Sequence, residues 1–205
     1  MKSLCIETTT EKTSVALIHN NQVYHHTDNA AYSQSEKIFS VIDCVLKKAA
    51  LDINQIENFF CTNGPGSFIG IRVGHSILKC IKSIRNDVNV FGISNMQLLY
   101  SQFDLTNSRV ALNAKKDMVF VQDFTKKKPA SKISLISREK LQKTNNLIID
   151  QSLRHLIKTE FAGKIDALKL AEFVRKNSFD KKECGLNPMY IAPLKATPPK
   201  KLFDL

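Results

Sequence analysis

FFCTNGPGSFIGIRVG, residues 59–74, places an apolar strand directly before a tight turn and the start of a helix. Gly64 and Gly66 allow the chain to reverse sharply, and Pro65 stiffens the turn between them. Ser67 is a residue type that caps helix amino termini. The order of strand, turn and helix predicts an α/β protein.

Two interpretations of this turn remain open. In the first, it is a structural turn that packs closely against its surroundings. In the second, Gly64, Gly66 and Ser67, with Glu7 at the end of the first strand, form a nucleotide or anion site, because a helix amino terminus offers free N–H groups. Glu7 also has a simpler interpretation, as an acid that hydrogen-bonds the turn after its strand. A P-loop is excluded, since the G-x-x-x-x-G-K-[ST] pattern is absent.

Before the turn, the chain begins with an antiparallel meander. Apolar strands are predicted over 4–6, 14–18 and 22–25, with a hairpin turn at Asn20. A helix is predicted from Ser33, which has capping-box spacing with Glu36.

After the turn, a change in composition at 104–108 predicts a boundary between two lobes, 1–104 and 105–205. Strands predicted over 109–112 and 118–121 repeat the opening pattern of strand, turn and strand. The second half is therefore interpreted as a shortened, degenerate copy of the first. The proline-rich tail after Asn187 is predicted to be extended.

The helices from Ser33 and Ser67 are also predicted to contact a partner protein. Gly70 and Gly74 have small-x-x-x-small spacing, and each costs roughly 1 kcal/mol relative to alanine in a helix. That cost is understandable if another helix packs closely against them, although packing within the chain remains an equal alternative. The predicted interface residues are Ser35, Ile38, Phe39, Ile42, Val45, Gly70, Ile71, Gly74, His75 and Leu78.

No catalytic or metal-binding constellation stands out in the sequence. No two of the five histidines are spaced i, i+4, and His25 and His26 lie on a strand, where they point to opposite faces. No C-x-x-C motif occurs among the five cysteines, and Cys5, Cys44, Cys61 and Cys80 lie in apolar patterns that predict burial. We therefore predict no catalytic residue, no metal and no cofactor.

The net charge of +11 has two explanations, a surface that faces nucleic acid and an AT-rich genome that encodes lysine, asparagine and isoleucine. We favour the second, because arginine and aromatic residues would be expected at a dedicated RNA surface. The three lysines at 126–128 are predicted to form a solvated hairpin turn.

No apolar stretch approaches the roughly 20 residues that span a bilayer, which predicts a cytoplasmic protein without membrane contact.

The run GPGSFIGIR at 64–72, continued by Val73-Gly74, resembles the GPGSFTGLR-x-G signature of the TsaB family. Segments similar to other family motifs occur in the same order. They are Leu4 to Thr8, Ser35 to Asp43, Gly92 to Met96, Ala114 with Phe120, and Pro188 to Ile191.

The resemblance implies a duplicated, ribonuclease-H-like fold of the actin and hexokinase type. It also implies a non-catalytic partner of the paralogue TsaD, which modifies tRNA to N6-threonylcarbamoyladenosine beside the anticodon. TsaE joins the pair, TsaB forms homodimers in isolation, and tRNA is reached through the complex. The resemblance further implies that both assemblies use the two helices of the first lobe. The alternatives are an ATP-dependent kinase or glycoprotease-like enzyme of the same superfamily, and a stand-alone tRNA-binding protein.

Overall fold

Two mixed β-sheets form the framework of the protein, as seen in a computed structural model that describes residues 2–31, 33–141, 146–180 and 185–191. Cys184 and the predicted extended tail over 192–205 lie outside the described residues.

The first sheet has five strands in the order β3-β2-β1-β4-β5. The pairs β1–β2 and β2–β3 are antiparallel, and β1–β4 and β4–β5 are parallel. The predicted opening meander is therefore confirmed. The elements of this half are β1 (Ser3–Glu7), β2 (Thr13–His19), β3 (Gln22–Asp28), α1 (Gln34–Ala49), β4 (Asn58–Gly64), α2 (Phe68–Ile84), β5 (Asn89–Ser94) and α3 (Asn95–Tyr100).

The second sheet repeats this arrangement. Its order is β11-β10-β6-β7-β8, and β9 also pairs with β7. The pairs β6–β7 and β7–β9 are antiparallel, and β6–β10 and β10–β11 are parallel, as at the equivalent positions of the first sheet. The predicted internal duplication is therefore confirmed. The elements are β6 (Asn107–Asn113), β7 (Met118–Thr125), β8 (Lys128–Pro129), β9 (Ser134–Ser137), β10 (Leu147–Asp150), β11 (Phe161–Gly163) and α4 (Ala167–Lys176).

The two copies differ in their outer helices. In the first, α1 joins β3 to β4 and α2 joins β4 to β5. In the second, the described parts of the corresponding connections contain short 3-10 turns, at 138–140 and 151–153. Within the described residues, the second lobe therefore lacks counterparts of α1 and α2.

Successive side chains on the strands of the first sheet point to opposite faces, so the sheet contributes to two different hydrophobic clusters. Leu4 and Ile6 of β1 pack outward beneath α1 and α2, whereas Cys5 packs inward. The inward cluster also contains residues of α3, α4 and the second sheet, such as Leu99, Leu170 and Val110. Because α3 and α4 are shared by both sheets, the division into 1–104 and 105–205 remains a prediction.

Three helices begin at a residue whose side chain caps them, including the predicted cap Ser67. The side chains of Ser67, Ser94 and Asp166 each accept a hydrogen bond from a backbone N–H of the helix that follows. The capping box predicted at Ser33 is wrong, since the Ser33 hydroxyl donates to the Ala30 carbonyl, at 2.9 Å, and caps nothing. The turns predicted at Asn20 and over 126–128 occur, with positive φ at Asn20, Asn21, Lys126 and Lys127.

Candidate functional site

A buried polar network lies at the carboxyl end of β1, with Glu7 at its centre. The Glu7 side chain is fully buried. Its Oε1 accepts from the Thr9 hydroxyl at 2.6 Å, from the Thr10 N–H at 3.2 Å and from the Thr9 N–H, and its Oε2 accepts from the Thr10 hydroxyl at 2.8 Å. The interpretation of Glu7 as an acid that hydrogen-bonds the following turn is confirmed.

Burial dominates the electrostatics of this carboxyl group. Desolvation disfavours the charged form, and although the hydrogen bonds from Thr9 and Thr10 oppose it, the pKa of Glu7 is raised to about 7. At neutral pH the group is therefore only partly ionised.

The turn over 64–67 is bound to the same network. Ser67 N donates to Thr9 O at 2.8 Å, and the Ser67 hydroxyl accepts from Gly70 N at 3.1 Å. The Asn95 amide donates to Pro65 O at 2.8 Å and to the Thr9 hydroxyl at 2.7 Å. These groups satisfy one another within the protein. The Oδ1 atoms of Asn63 and Asn95 have no hydrogen-bond partner among the described residues.

Few hydrogen-bonding groups of the predicted nucleotide or anion site therefore remain available to a ligand. Glu7 and Ser67 are brought to opposite sides of the Thr9 backbone, and both are occupied by it. Gly64 is buried with φ +92°, which explains the need for glycine there, whereas Gly66 faces solvent. Nucleotide binding at Glu7, Gly64, Gly66 and Ser67 remains a prediction that the protein's own contacts oppose.

The sequence interpretation missed Thr9 and Asn95, which connect the β1–β2 turn to the turn over 64–67. Thr62, at the end of β4, is similarly 3.3 Å from the Thr9 hydroxyl. Thr9 and Asn95 are both polar and follow a buried strand in the sequence. This pattern could have predicted that they lie close together, because the carboxyl ends of neighbouring parallel strands meet at one edge of a sheet.

The glycines of α2 have a role different from the predicted one. A Cβ at Gly70 would lie 1.7 Å from the backbone oxygen of Thr8, and one at Gly74 would lie 3.0 Å from the Thr8 hydroxyl. The Thr8 hydroxyl also donates to Gly70 O at 2.7 Å. The prediction that these glycines admit a partner helix is corrected, because they admit the β1–β2 turn of their own lobe.

The apolar residues predicted for the partner interface also need correction. The side chains of these residues lie in the core between the first sheet and its two outer helices, so they cannot touch another protein while the lobe is folded. They are Ile38, Ile42, Val45, Ile71 and Leu78, each at most 6% exposed. Periodicity identified the apolar face of each helix but not which surface covers it.

Two of the predicted residues do face solvent on α1. Ser35 is exposed, and Phe39 is 64% exposed. On α2, the exposed apolar side chains are Ile69, at 64%, and Ile84, at 82%. An exposed phenylalanine and two exposed isoleucines on adjacent helices are the apolar groups that a partner could cover.

His75 is buried rather than at the predicted surface. Only 3% of the residue is exposed, and neither ring nitrogen has a hydrogen-bond partner in the described part of the chain. Burial lowers the pKa of His75 to about 4, with a smaller contribution from Lys79. The imidazole is therefore neutral at pH 7.

The cysteines follow the sequence interpretation only in part. Cys5 and Cys61 are buried, and burial raises the pKa of both thiols, which makes them poor nucleophiles. Cys44 is half-buried, but Cys80 is exposed on α2, so the prediction of its burial is wrong. Within the described residues, no group of three or more histidine, cysteine, aspartate or glutamate side chains could hold a metal ion.

Comparison with known proteins places this arrangement in a family. The family described as "TsaD: tRNA N6-adenosine threonylcarbamoyltransferase" matches residues 18–181. A Haemophilus influenzae protein named "tRNA threonylcarbamoyladenosine biosynthesis protein TsaB" is 30% identical over 132 residues, which are 62% of this chain and 56% of that protein. The chain belongs to the TsaB family of TsaD-like proteins.

Further TsaB proteins extend the match. The protein of the same name from Buchnera aphidicola subsp. Acyrthosiphon pisum is 25% identical over 186 residues, 85% of this chain and 80% of its own length. The chain spans 56% and 57% of the length of the first two curated TsaB relatives it matches.

A solved structure shares the fold of this chain. A Pseudomonas aeruginosa protein described as having similarity to peptidase YEAZ superposes with a TM-score of 0.70. The match covers 93% of this chain and 99% of that one, at 16% identity, and therefore establishes the shared fold alone. Together with the duplicated strand order, it confirms the predicted actin-like fold. No helix in the described ranges is long and apolar enough to cross a membrane.

Proposed function

We propose that this protein is a non-catalytic partner of a TsaD-type enzyme in the synthesis of N6-threonylcarbamoyladenosine on tRNA, beside the anticodon. The observation that carries the proposal is the occupation of the Glu7 network by the protein's own turn. The Glu7 carboxylate, the Ser67 N–H and the Asn95 amide nitrogen are bound to Thr9 or Pro65, so these groups are already engaged within the protein. The names of the TsaB relatives support the pathway.

The partner contact is proposed to lie on the outer surface of α1 and α2, with a TsaE-type ATPase joining the assembly and tRNA reached through it. In this proposal the protein works in the cytoplasm, and the same surface forms a homodimer when the protein is alone. Phe39 and Ile69 supply the apolar contact, in place of the buried residues beneath them. Exposed aromatic and aliphatic groups of this kind commonly anchor protein interfaces.

The role is tested by reconstitution. Purified TsaD-type and TsaE-type proteins from the same organism, the enzyme that supplies the threonylcarbamoyl donor, tRNA and labelled threonine are incubated with and without this protein. We expect product only when it is present, and no ATP hydrolysis when it is alone. Full product formation in its absence would contradict the proposal.

The contact is tested by Phe39→Asp. A carboxylate placed in an apolar contact must be desolvated, so we expect at least about a tenfold weaker association with the TsaD-type protein. Leu156→Asp is the matched control, since Leu156 is also exposed, at 47%, but lies in the second lobe. Calorimetric titration measures both affinities. Equal affinities for the two variants would count against the assignment of this surface.

A further inference from the structure

The described residues on either side of 181–184 contact the first sheet at its free edge, strand β5, and on both of its faces. Phe179 packs on its inner face, with ring centroids 5.0 Å from Phe60 and 5.4 Å from Phe91. Gly185 then pairs with the edge strand β5, through hydrogen bonds of 3.0 Å to Val90 O and 3.1 Å from Gly92 N. Leu186 packs in the outer cluster beneath α1 and α2. Phe179 and Leu186 therefore lie on opposite faces of the first sheet.

This segment ends on the first turn of α2. Met189 N donates to Asn63 O at 2.9 Å, which holds the chain beside the turn over 64–67. The Tyr190 ring lies 4.5 Å from the ring of Phe68, and the guanidinium carbon of Arg72 lies 4.0 Å from the same ring. Phe68 is thus in contact with a second aromatic ring and a cation.

The resulting surface, which we call the Tyr190 surface, consists of Phe68, Ile69, Arg72 and Tyr190. It remains open to solvent, with Ile69 64% and Tyr190 43% exposed. A segment that only sealed the sheet edge would have no need of a half-exposed tyrosine next to an exposed isoleucine. Tyrosine and arginine beside apolar groups are the residues enriched at the energetic centres of interfaces.

Charge indicates what this surface would bind. The helix α2 contains three basic residues, Arg72, Lys79 and Lys82, and no acidic residue. Arg72 and Lys79 are exposed. A complementary protein would therefore present an apolar side chain bordered by carboxylates.

We propose that the Tyr190 surface is a docking site for an acidic-rimmed apolar patch on the TsaD-type partner, so that the carboxyl-terminal segment takes part in the contact together with α1 and α2. The inference rests on the proposed function, because it requires that partner. It assigns to the segment that contains Met189 and Tyr190 a role in binding that the helices alone do not provide.

Calorimetric titration of the purified TsaD-type protein into variants of the full chain tests the assignment. We expect Tyr190→Ala to weaken binding about tenfold, with a thermal unfolding midpoint close to that of the unaltered protein. Leu156→Ala is the control, an exposed apolar side chain of the second lobe that should leave the affinity unchanged. Arg72→Glu should weaken binding more than Arg72→Gln, and the difference should shrink in 0.5 M salt, where the screening length is about 4 Å.

The possible failures are distinguishable. If the unaltered protein does not bind the TsaD-type protein, both the proposed function and this surface are refuted. If it binds and neither Tyr190→Ala nor Arg72→Glu weakens the complex, only the Tyr190 surface is refuted. A loss confined to self-association, or to tRNA binding by the protein alone, would also overturn the proposal, because the occupant would then be a second copy or RNA.

Discussion

The free energy of unfolding of Glu7→Gln, measured relative to the unaltered protein, should increase by roughly 2 to 3 kcal/mol between pH 5 and pH 8. The reason is that only the glutamate must ionise in a buried site as the pH rises. The four donors of Thr9 and Thr10 surround a side chain of nearly the same shape in both proteins. The glutamine amide can also change the free energy of unfolding by an amount that does not depend on pH. That amount cancels when the results at the two pH values are compared.

The sign follows from the pKa of Glu7, which is about 7 in the folded protein and 4.5 in the unfolded chain. Between these values the folded state binds more protons, so stability falls as the pH rises. The contribution is fully present below about pH 4.5 and is lost as the pH passes through 7. His75 acts in the opposite direction, since its lowered pKa of about 4 makes stability rise between about pH 4 and 6.5.

Urea unfolding of both proteins at pH 5 and pH 8 measures the effect. The contribution of His75 is the same in both proteins, so the difference between them isolates Glu7. If the difference between Glu7→Gln and the unaltered protein were the same at both pH values, Glu7 would not be a desolvated acid. A reversed sign would mean that the hydrogen bonds from the turn outweigh its burial.

Gly70→Ala should destabilise the protein by about 3 kcal/mol or more, the upper range for overpacking. The added methyl would meet the Thr8 backbone oxygen at 1.7 Å, a distance that no side-chain rotation relieves. To accommodate it, α2 must move away from the β1–β2 turn, which also stretches the hydrogen bond from the Thr8 hydroxyl to Gly70 O. The gain in helix propensity from alanine, about 1 kcal/mol, is too small to compensate.

Gly74→Ala is the matched control on the same helix. Its methyl would lie 3.0 Å from the Thr8 hydroxyl oxygen, a contact that a small shift relieves, and 3.6 Å from Cys61 Cβ. We expect the free energy of unfolding to change by less than about 1 kcal/mol, because helix propensity and crowding nearly cancel. Chemical denaturation of the two variants measures both changes. Equal midpoints for Gly70→Ala and the unaltered protein would contradict the close approach of Thr8 to α2.

The sequence was sufficient for the framework of this protein because its signals are local. The continuous apolar run of Leu4, Cys5 and Ile6 predicts a strand, and its successive side chains reach two opposite clusters because the side chains of a strand repeat every two residues. Ser67 capped its helix as predicted, since a cap is formed by residues three positions apart. The repeated strand pattern likewise indicated the duplication, and the run over 64–74 indicated the family.

The tertiary structure alone decided which surfaces meet. Glycine spacing on α2 is the same whether a partner helix or the protein's own turn approaches, and only the position of Thr8, 62 residues from Gly70, distinguishes them. Burial of His75 and the contact of Tyr190 with Phe68 likewise join residues that are distant in the chain or covered by distant elements. A helical periodicity of 3.6 residues identifies an apolar face, but what covers that face depends on long-range packing, which no local pattern encodes.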